Sequence, residues 1–143
     1  MIHLVQAQLD HIRAHAEYDA PMEACGIILA DATATRCENI ARDRRIHAEI
    51  GRFELERAAR RNQVIGFYHS HVDSPPLPSP SDFTGAHHFG FWYVIASVRT
   101  CLGGRVDAIA TYILRGTEEK KIFEQTILKD GRAKVVQIIK QSA

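Results

Sequence analysis

The pattern of apolar and polar positions predicts several short strands and two or three helices. Residues 2–6 alternate and predict a short strand. From Leu9 to Tyr18, Leu9, Ile12 and Ala16 form an apolar stripe at helical spacing, and Pro21 follows the stop. Ala24–Ala30 is a continuous apolar run, the mark of a strand buried on both faces. Thr33–Ala41 predicts its hairpin partner, with Asp31 near the turn. Arg42–Arg52 is the least patterned stretch, with a third strand expected around Ile46–Ile50. Phe53–Asn62 predicts a helix from Phe53, Glu56, Arg57 and Arg60. Val64–His69 is the clearest strand. Ser70–Pro80 holds four of the five prolines and predicts a loop, and Ser79–His88 opens a helix. Phe91–Ser97 is aromatic and β-branched, hence a strand. Val106–Leu114 and Lys120–Ile127 complete the expected sheet, with turns at Gly103-Gly104 and Arg115-Gly116. Strands in excess of helices imply an α+β layer fold.

Composition narrows the class. A chain of 143 residues and 45% hydrophobic content reads as one domain, 1–143, able to bury a core without disulfides. Cys25, Cys37 and Cys101 are odd in number and lack CxxC spacing, which points to a reducing, cytoplasmic location. Lys+Arg 18 against Asp+Glu 17 leaves +1, so no basic field marks a nucleic-acid partner. The longest apolar runs, Ala24–Ala30 and Phe91–Ala96, are too short to span a membrane. The start Met1-Ile2-His3-Leu4 lacks signal-peptide character. There is no internal repeat or low-complexity segment.

The chemistry gathers around His69-Ser70-His71. Residues i and i+2 of a strand share a face, about 7 Å apart along the backbone. Two imidazoles so placed can converge on one cation such as Zn²⁺. Ser79-Pro80-Ser81-Asp82 carries Ser at the N-cap, Pro at N1 and an acid at N3, a helix start. Alone it reads as a capping box. The stiff loop Val72–Pro78 folds that helix start back beside the histidines, which makes Asp82 a candidate third ligand. Two His and one carboxylate leave a fourth tetrahedral position open, as in catalytic sites. Glu23, at the start of the Ala24–Ala30 run, is either a solvated strand-start residue or a desolvated base.

His69-x-His71-x(7)-Ser79-x-x-Asp82, preceded by Glu23 in Met22-Glu23-Ala24-Cys25-Gly26, resembles the full signature of the JAMM (MPN+) metallopeptidases. The likeness is densest over 21–30 and 63–85. It implies an α+β fold with a central, mostly antiparallel sheet flanked by two or three helices, in layers like those of cytidine deaminases. It implies one Zn²⁺ on His69, His71 and Asp82. Glu23 would be the general acid/base taking the proton of the zinc-bound water, and Ser79 would help hold the oxyanion. It further implies cleavage of the peptide or isopeptide bond after the C-terminal Gly-Gly of a ubiquitin-like protein. The absence of large insertions matches the minimal prokaryotic type, associated with ubiquitin-like sulfur-carrier proteins. Val72 stands where the family often has Pro, and Asp73 adds a carboxylate, expected to be a solvated loop acid. Two rivals remain: a zinc hydrolase of small amides and a non-catalytic MPN assembly module.

Other residues read as structural. His11 and His15 are i, i+4 and are expected on an exposed helical face. His87-His88 are expected on the helix after Asp82, at the surface or in the core. Cys25 reads as inert packing, Leu102-Gly103-Gly104 as a turn, and Arg42, Arg44 and Arg45 as a solvated basic run.

Overall fold

The computed structural model of the chain describes residues 2–142; Met1 and Ala143, which the expected domain includes, lie outside it. In chain order it forms α1 (Gln6–Asp19), β1 (Cys25–Leu29), β2 (Ala34–Cys37), α2 (Arg52–Arg61), β3 (Val64–Val72), α3 (Pro80–Gly85), β4 (Trp92–Arg99), β5 (Arg105–Gly116), β6 (Lys121–Lys129) and β7 (Arg132–Lys140). The strands make one sheet in the order β2-β1-β3-β4-β5-β6-β7. Every neighbouring pair is antiparallel except β3–β4, which the chain joins through the Pro-rich loop and α3. The α+β layering is as expected.

Alternation along the strands divides the core between the two sheet faces. On one face, Ile12 and Ala16 of α1 pack with Ile28, Tyr68, Val94 and Val98. On the other, Ala58 of α2 packs with Cys25, Ile27 and Leu29, and Phe83 of α3 with Ile95, Tyr112 and Phe123. All five β1 residues are buried, as a strand covered by helices on both sides requires.

Four expectations are corrected. Residues 2–5 form no strand, and Gln6 already begins α1. Gln8 explains the early start: its Oε1 accepts from Val5 N, and its Nε2 donates to Leu29 O and Thr33 O. Ile46–Ile50 forms no strand, only the single bridge Asn39–Ile50. The Asn39 side chain takes over the ladder there, accepting from Glu49 N and donating to His47 O. The helix after Ser79 stops at Gly85, short of His88. Finally, β7 extends the sheet past β6, with both faces almost wholly exposed. Phe53, read as part of the α2 pattern, is 82% exposed; Ala58 is the buried residue of that helix.

β1 and β3 pair tightly because Gly26 has no side chain. A Cβ there would lie 2.2 Å from Tyr68 Cε2 and 2.4 Å from Thr35 O. The Tyr68 ring is itself held, its OH 2.6 Å from His15 Nδ1. Neither neighbour can move cheaply. Gly26→Ala is therefore expected to destabilise by about 1–3 kcal/mol or more, the range for overpacking a filled core. A lower urea midpoint at unchanged slope would register it.

Candidate metal centre

β3 ends in His69-Ser70-His71, and the period of two turns both imidazoles to the face covered by α2 and α3. Their Nε2 atoms lie 3.2 Å apart. Ser79 caps α3, its Oγ accepting from Asp82 N at 3.2 Å. That cap aims the Asp82 carboxylate back at β3. Oδ1 lies 3.0 Å from His69 Nε2 and Oδ2 lies 3.0 Å from His71 Nε2. One donor atom from each residue falls within 4.8 Å of the others.

The donor chemistry fits Zn²⁺. His71 Nδ1–H donates to Pro75 O at 2.8 Å, which leaves Nε2 of the neutral ring free to ligate. Two borderline imidazole nitrogens and one hard carboxylate oxygen form a three-donor set of a kind that zinc accepts. Burial pushes Asp82 upward, but His69, hydrogen bonds to both rings and the Ser79 N–H hold its carboxyl well below the usual range. Burial likewise pulls His71 down, yet its bonds to Asp82 and Pro75 bring it above its ordinary value.

Glu23 arrives from β1. The register pairs Cys25 with His69. One step on, Ser70 N donates to Ala24 O at 3.0 Å, while Ala24 N donates to Ser70 Oγ at 2.8 Å. The next step brings Glu23 level with His71. Its backbone is held by Glu23 N donating to Arg44 O and by Asn39 Nδ2 donating to Glu23 O. The residue is 5% exposed. Burial pushes its carboxyl up to about 7, against the opposing pull of His69 and His71. The solvated alternative for Glu23 is thereby corrected. Ser79 is half-buried, with its Oγ 3.1 Å from Ser81 Oγ.

A cleft of about 270 Å³ leads away from His69 and Asp82. Its lining includes Ile50, Leu55, Phe67, Ala86 and Tyr93.

Residues 5–109 match the family model described as prokaryotic homologs of the JAB domain. The chain belongs to this family. Desampylase of Haloferax volcanii is 33% identical to this JAB domain over 102 residues, 62% of this chain and 72% of that protein. A solved protein of Desulfitobacterium hafniense has the same fold, with TM-score 0.67 at 22% identity over 90% of this chain and 93% of that one. A solved protein of Salinibacter ruber aligns at TM-score 0.55 and 29% identity over 90% and 92%.

Outside the centre, the JAB domain uses its other polar residues structurally. His15 is not on an exposed face but 3% exposed, bonded to Tyr68 OH and paired with Asp19 at 2.9 Å, with His11 beside it. His87 and His88 follow α3 instead of lying on it. His87 pairs with Glu118 at 3.1 Å, and His88 packs on Phe67 and lines the cleft. Asp73 is exposed but not merely solvated, since its carboxylate accepts from Thr100 N and Oγ1. Burial pushes the Cys25 thiol up to about 12, in keeping with packing. Leu102-Gly103-Gly104 is a turn with both glycines at positive φ. The Arg42, Arg44 and Arg45 side chains are exposed. The sequence reading missed Ser97 and Tyr112, which bond the loop behind His71. Nothing local to the motif signals them, because they lie on β4 and β5.

Proposed function

We propose that this JAB domain, acting as one unit over its length, is a zinc-dependent peptidase or isopeptidase. Its substrate is a ubiquitin-like sulfur-carrier protein, cut after the C-terminal Gly-Gly. The observation that carries the reading is the convergence of His69, His71 and Asp82 at the end of a cleft, with the buried Glu23 carboxyl beside them. Family membership and the likeness to a desampylase support it.

His69, His71 and Asp82 would hold the zinc ion, and the chemistry it would supply there is Lewis acidity toward water and the scissile carbonyl. Glu23 takes the proton of the attacking water and returns it to the leaving nitrogen, so that the C–N bond breaks to a carboxylate and an amine. Burial, which raises this carboxyl above its ordinary range, favours its taking up the proton. Ser79 Oγ accepts the Asp82 N–H, and with Ser81 Oγ donating to it as well its own proton would serve the developing oxyanion. The apolar walls of the cleft exclude water along the incoming tail. Glycine suits a narrow approach because only a tail without side chains passes close to the backbone on both sides.

The test offers the chain a ubiquitin-like carrier extended past its Gly-Gly. Cleavage is expected directly after the second Gly. It should stop with a zinc chelator and fail when that Gly becomes Val. A small amide cut while every such carrier stays intact would replace this reading with a small-molecule hydrolase. Inertness toward both, with zinc bound, would favour an assembly module.

A further inference from the structure

Four consecutive residues of the loop after β3 are tied to the sheet by bonds that the His-x-His pattern does not contain. Asp73 N donates to Val98 O at 2.8 Å. Ser97 Oγ donates to Ser74 O at 2.7 Å. His71 Nδ1 donates to Pro75 O at 2.8 Å. Tyr112 OH donates to Pro76 O at 2.5 Å. Pro75 and Pro76 lack an N–H, so beyond Asp73 these two residues cannot be tied to the sheet by their own backbone donors. Side chains from β4 and β5 take over, and both Ser97 and Tyr112 are fully buried, at 0% exposure.

The Pro75 carbonyl is the one that touches a metal-ligand candidate. It decides which His71 nitrogen carries hydrogen and how the ring is turned. Ser74 and Pro76 flank it, and each has its carbonyl fixed by one of the two hydroxyls. With the peptide units on either side immobilised, the Pro75 carbonyl has one direction to point. Ser97 is also the β4 register partner of His71, so its hydroxyl reaches the loop from directly beside the ligand strand.

We infer that Ser97 and Tyr112 are positioning residues for the metal centre. They clamp the Ser74–Pro76 segment so that Pro75 presents His71 Nε2 toward Asp82. The inference rests on the zinc reading of the site.

The test uses the full chain with Tyr112→Phe and Ser97→Ala. Trp92→Phe is the comparison, since it removes a bond of the same kind, Trp92 Nε1 to Ile2 O at 2.8 Å, next to α1. Two readouts need no substrate. One is zinc affinity by competition with a chromophoric chelator. The other is the ¹⁵N signature of the His71 ring in metal-free protein. Tyr112→Phe and Ser97→Ala are expected to weaken zinc binding measurably, by up to the about 10–100-fold that loss of a ligand's direct outer-shell partner causes, since they act on His71 through the Pro75 carbonyl. The His71 signals should lose their fixed Nδ1–H pattern. Trp92→Phe should change neither. Unchanged affinity and an unchanged His71 pattern in both clamp variants would reduce Ser97 and Tyr112 to loop staples. Equal weakening in Trp92→Phe would overturn the inference as well, by tracing the effect to general loosening. If one clamp variant does not fold, the other decides, because the two hydroxyls act on different carbonyls. A parent chain that binds no zinc overturns both this inference and the proposed function. A chain that binds zinc normally and cuts no Gly-Gly tail overturns only the function.

Discussion

Glu23→Gln is expected to leave zinc bound and to slow hydrolysis by about 10²–10⁴-fold, the range for losing a general acid/base. That corresponds to roughly 3–5 kcal/mol of barrier. Zinc should stay because Glu23 stands apart from the three converging donors. The fold should stay because Gln has nearly the same volume in a site that is 5% exposed. A second consequence follows from the same burial. In the metal-free chain Glu23 keeps its proton up to about 7, whereas its ordinary value is 4.5. The folded state then holds a proton that the unfolded state releases. This contribution to stability is complete below 4.5 and is lost as pH rises through 7. Thermal unfolding of chelated protein across that window should show a decline that Glu23→Gln makes shallower, the remainder coming from His71, which is also held above its ordinary value. A variant with parental turnover and a parental pH slope would make Glu23 an ordinary strand-start residue.

His71→Ala is expected to remove zinc, with affinity falling by more than the roughly 10–100-fold typical of an outer-shell loss. The ring supplies one of three donors, and its Nε2 sits 3.0 Å from Asp82 Oδ2 and 3.2 Å from His69 Nε2. Its removal leaves two ligands and frees the Pro75 carbonyl. Turnover should fall with occupancy and should not recover with Glu23 intact. Elemental analysis of protein purified without added metal, together with chelator competition, measures this. Parental zinc content in His71→Ala would place the metal elsewhere.

The parts of the site that were legible in the sequence are those set by short-range geometry. His69 and His71 share a face because strands repeat every two residues, and β3 indeed runs to Val72. Asp82 points back because Ser79 and Pro80 start a helix, and the cap bond from Asp82 N to Ser79 Oγ forms. β1 and β4 were legible because burial on both faces demands continuous apolar runs. The misreadings each have a physical cause. Ile46–Ile50 has the composition of a strand, but the Asn39 side chain claims its backbone groups. The apolar pairs of β7, Val135-Val136 and Ile138-Ile139, do not alternate because no helix covers either face and a register shift interrupts its pairing with β6.

Polarity also misled where partners were distant in sequence. His11 and His15 looked like a solvated face because isolated imidazoles prefer water. Tyr68, 53 residues from His15, supplies the hydroxyl that lets that ring be buried. Glu23 shows the same dependence in the opposite sense. Its residue type and its place before an apolar run were visible, but its facing His71 depends on the β1–β3 register, and that register depends on Tyr68 lying over Gly26.

By itself the sequence determined the candidate ligand types, their spacing, the helix start that carries Asp82 and the α+β class, because hydrogen bonds and side-chain periodicity within a few residues decide each of these. Only the tertiary structure decided that Glu23 is desolvated beside the histidines, that a cleft runs from the centre, and that Ser97 and Tyr112 grip the loop behind His71. Those features join β1, β3, β4 and β5. Contacts between strands so far apart in the chain arise from register and packing, which no local window of residues specifies.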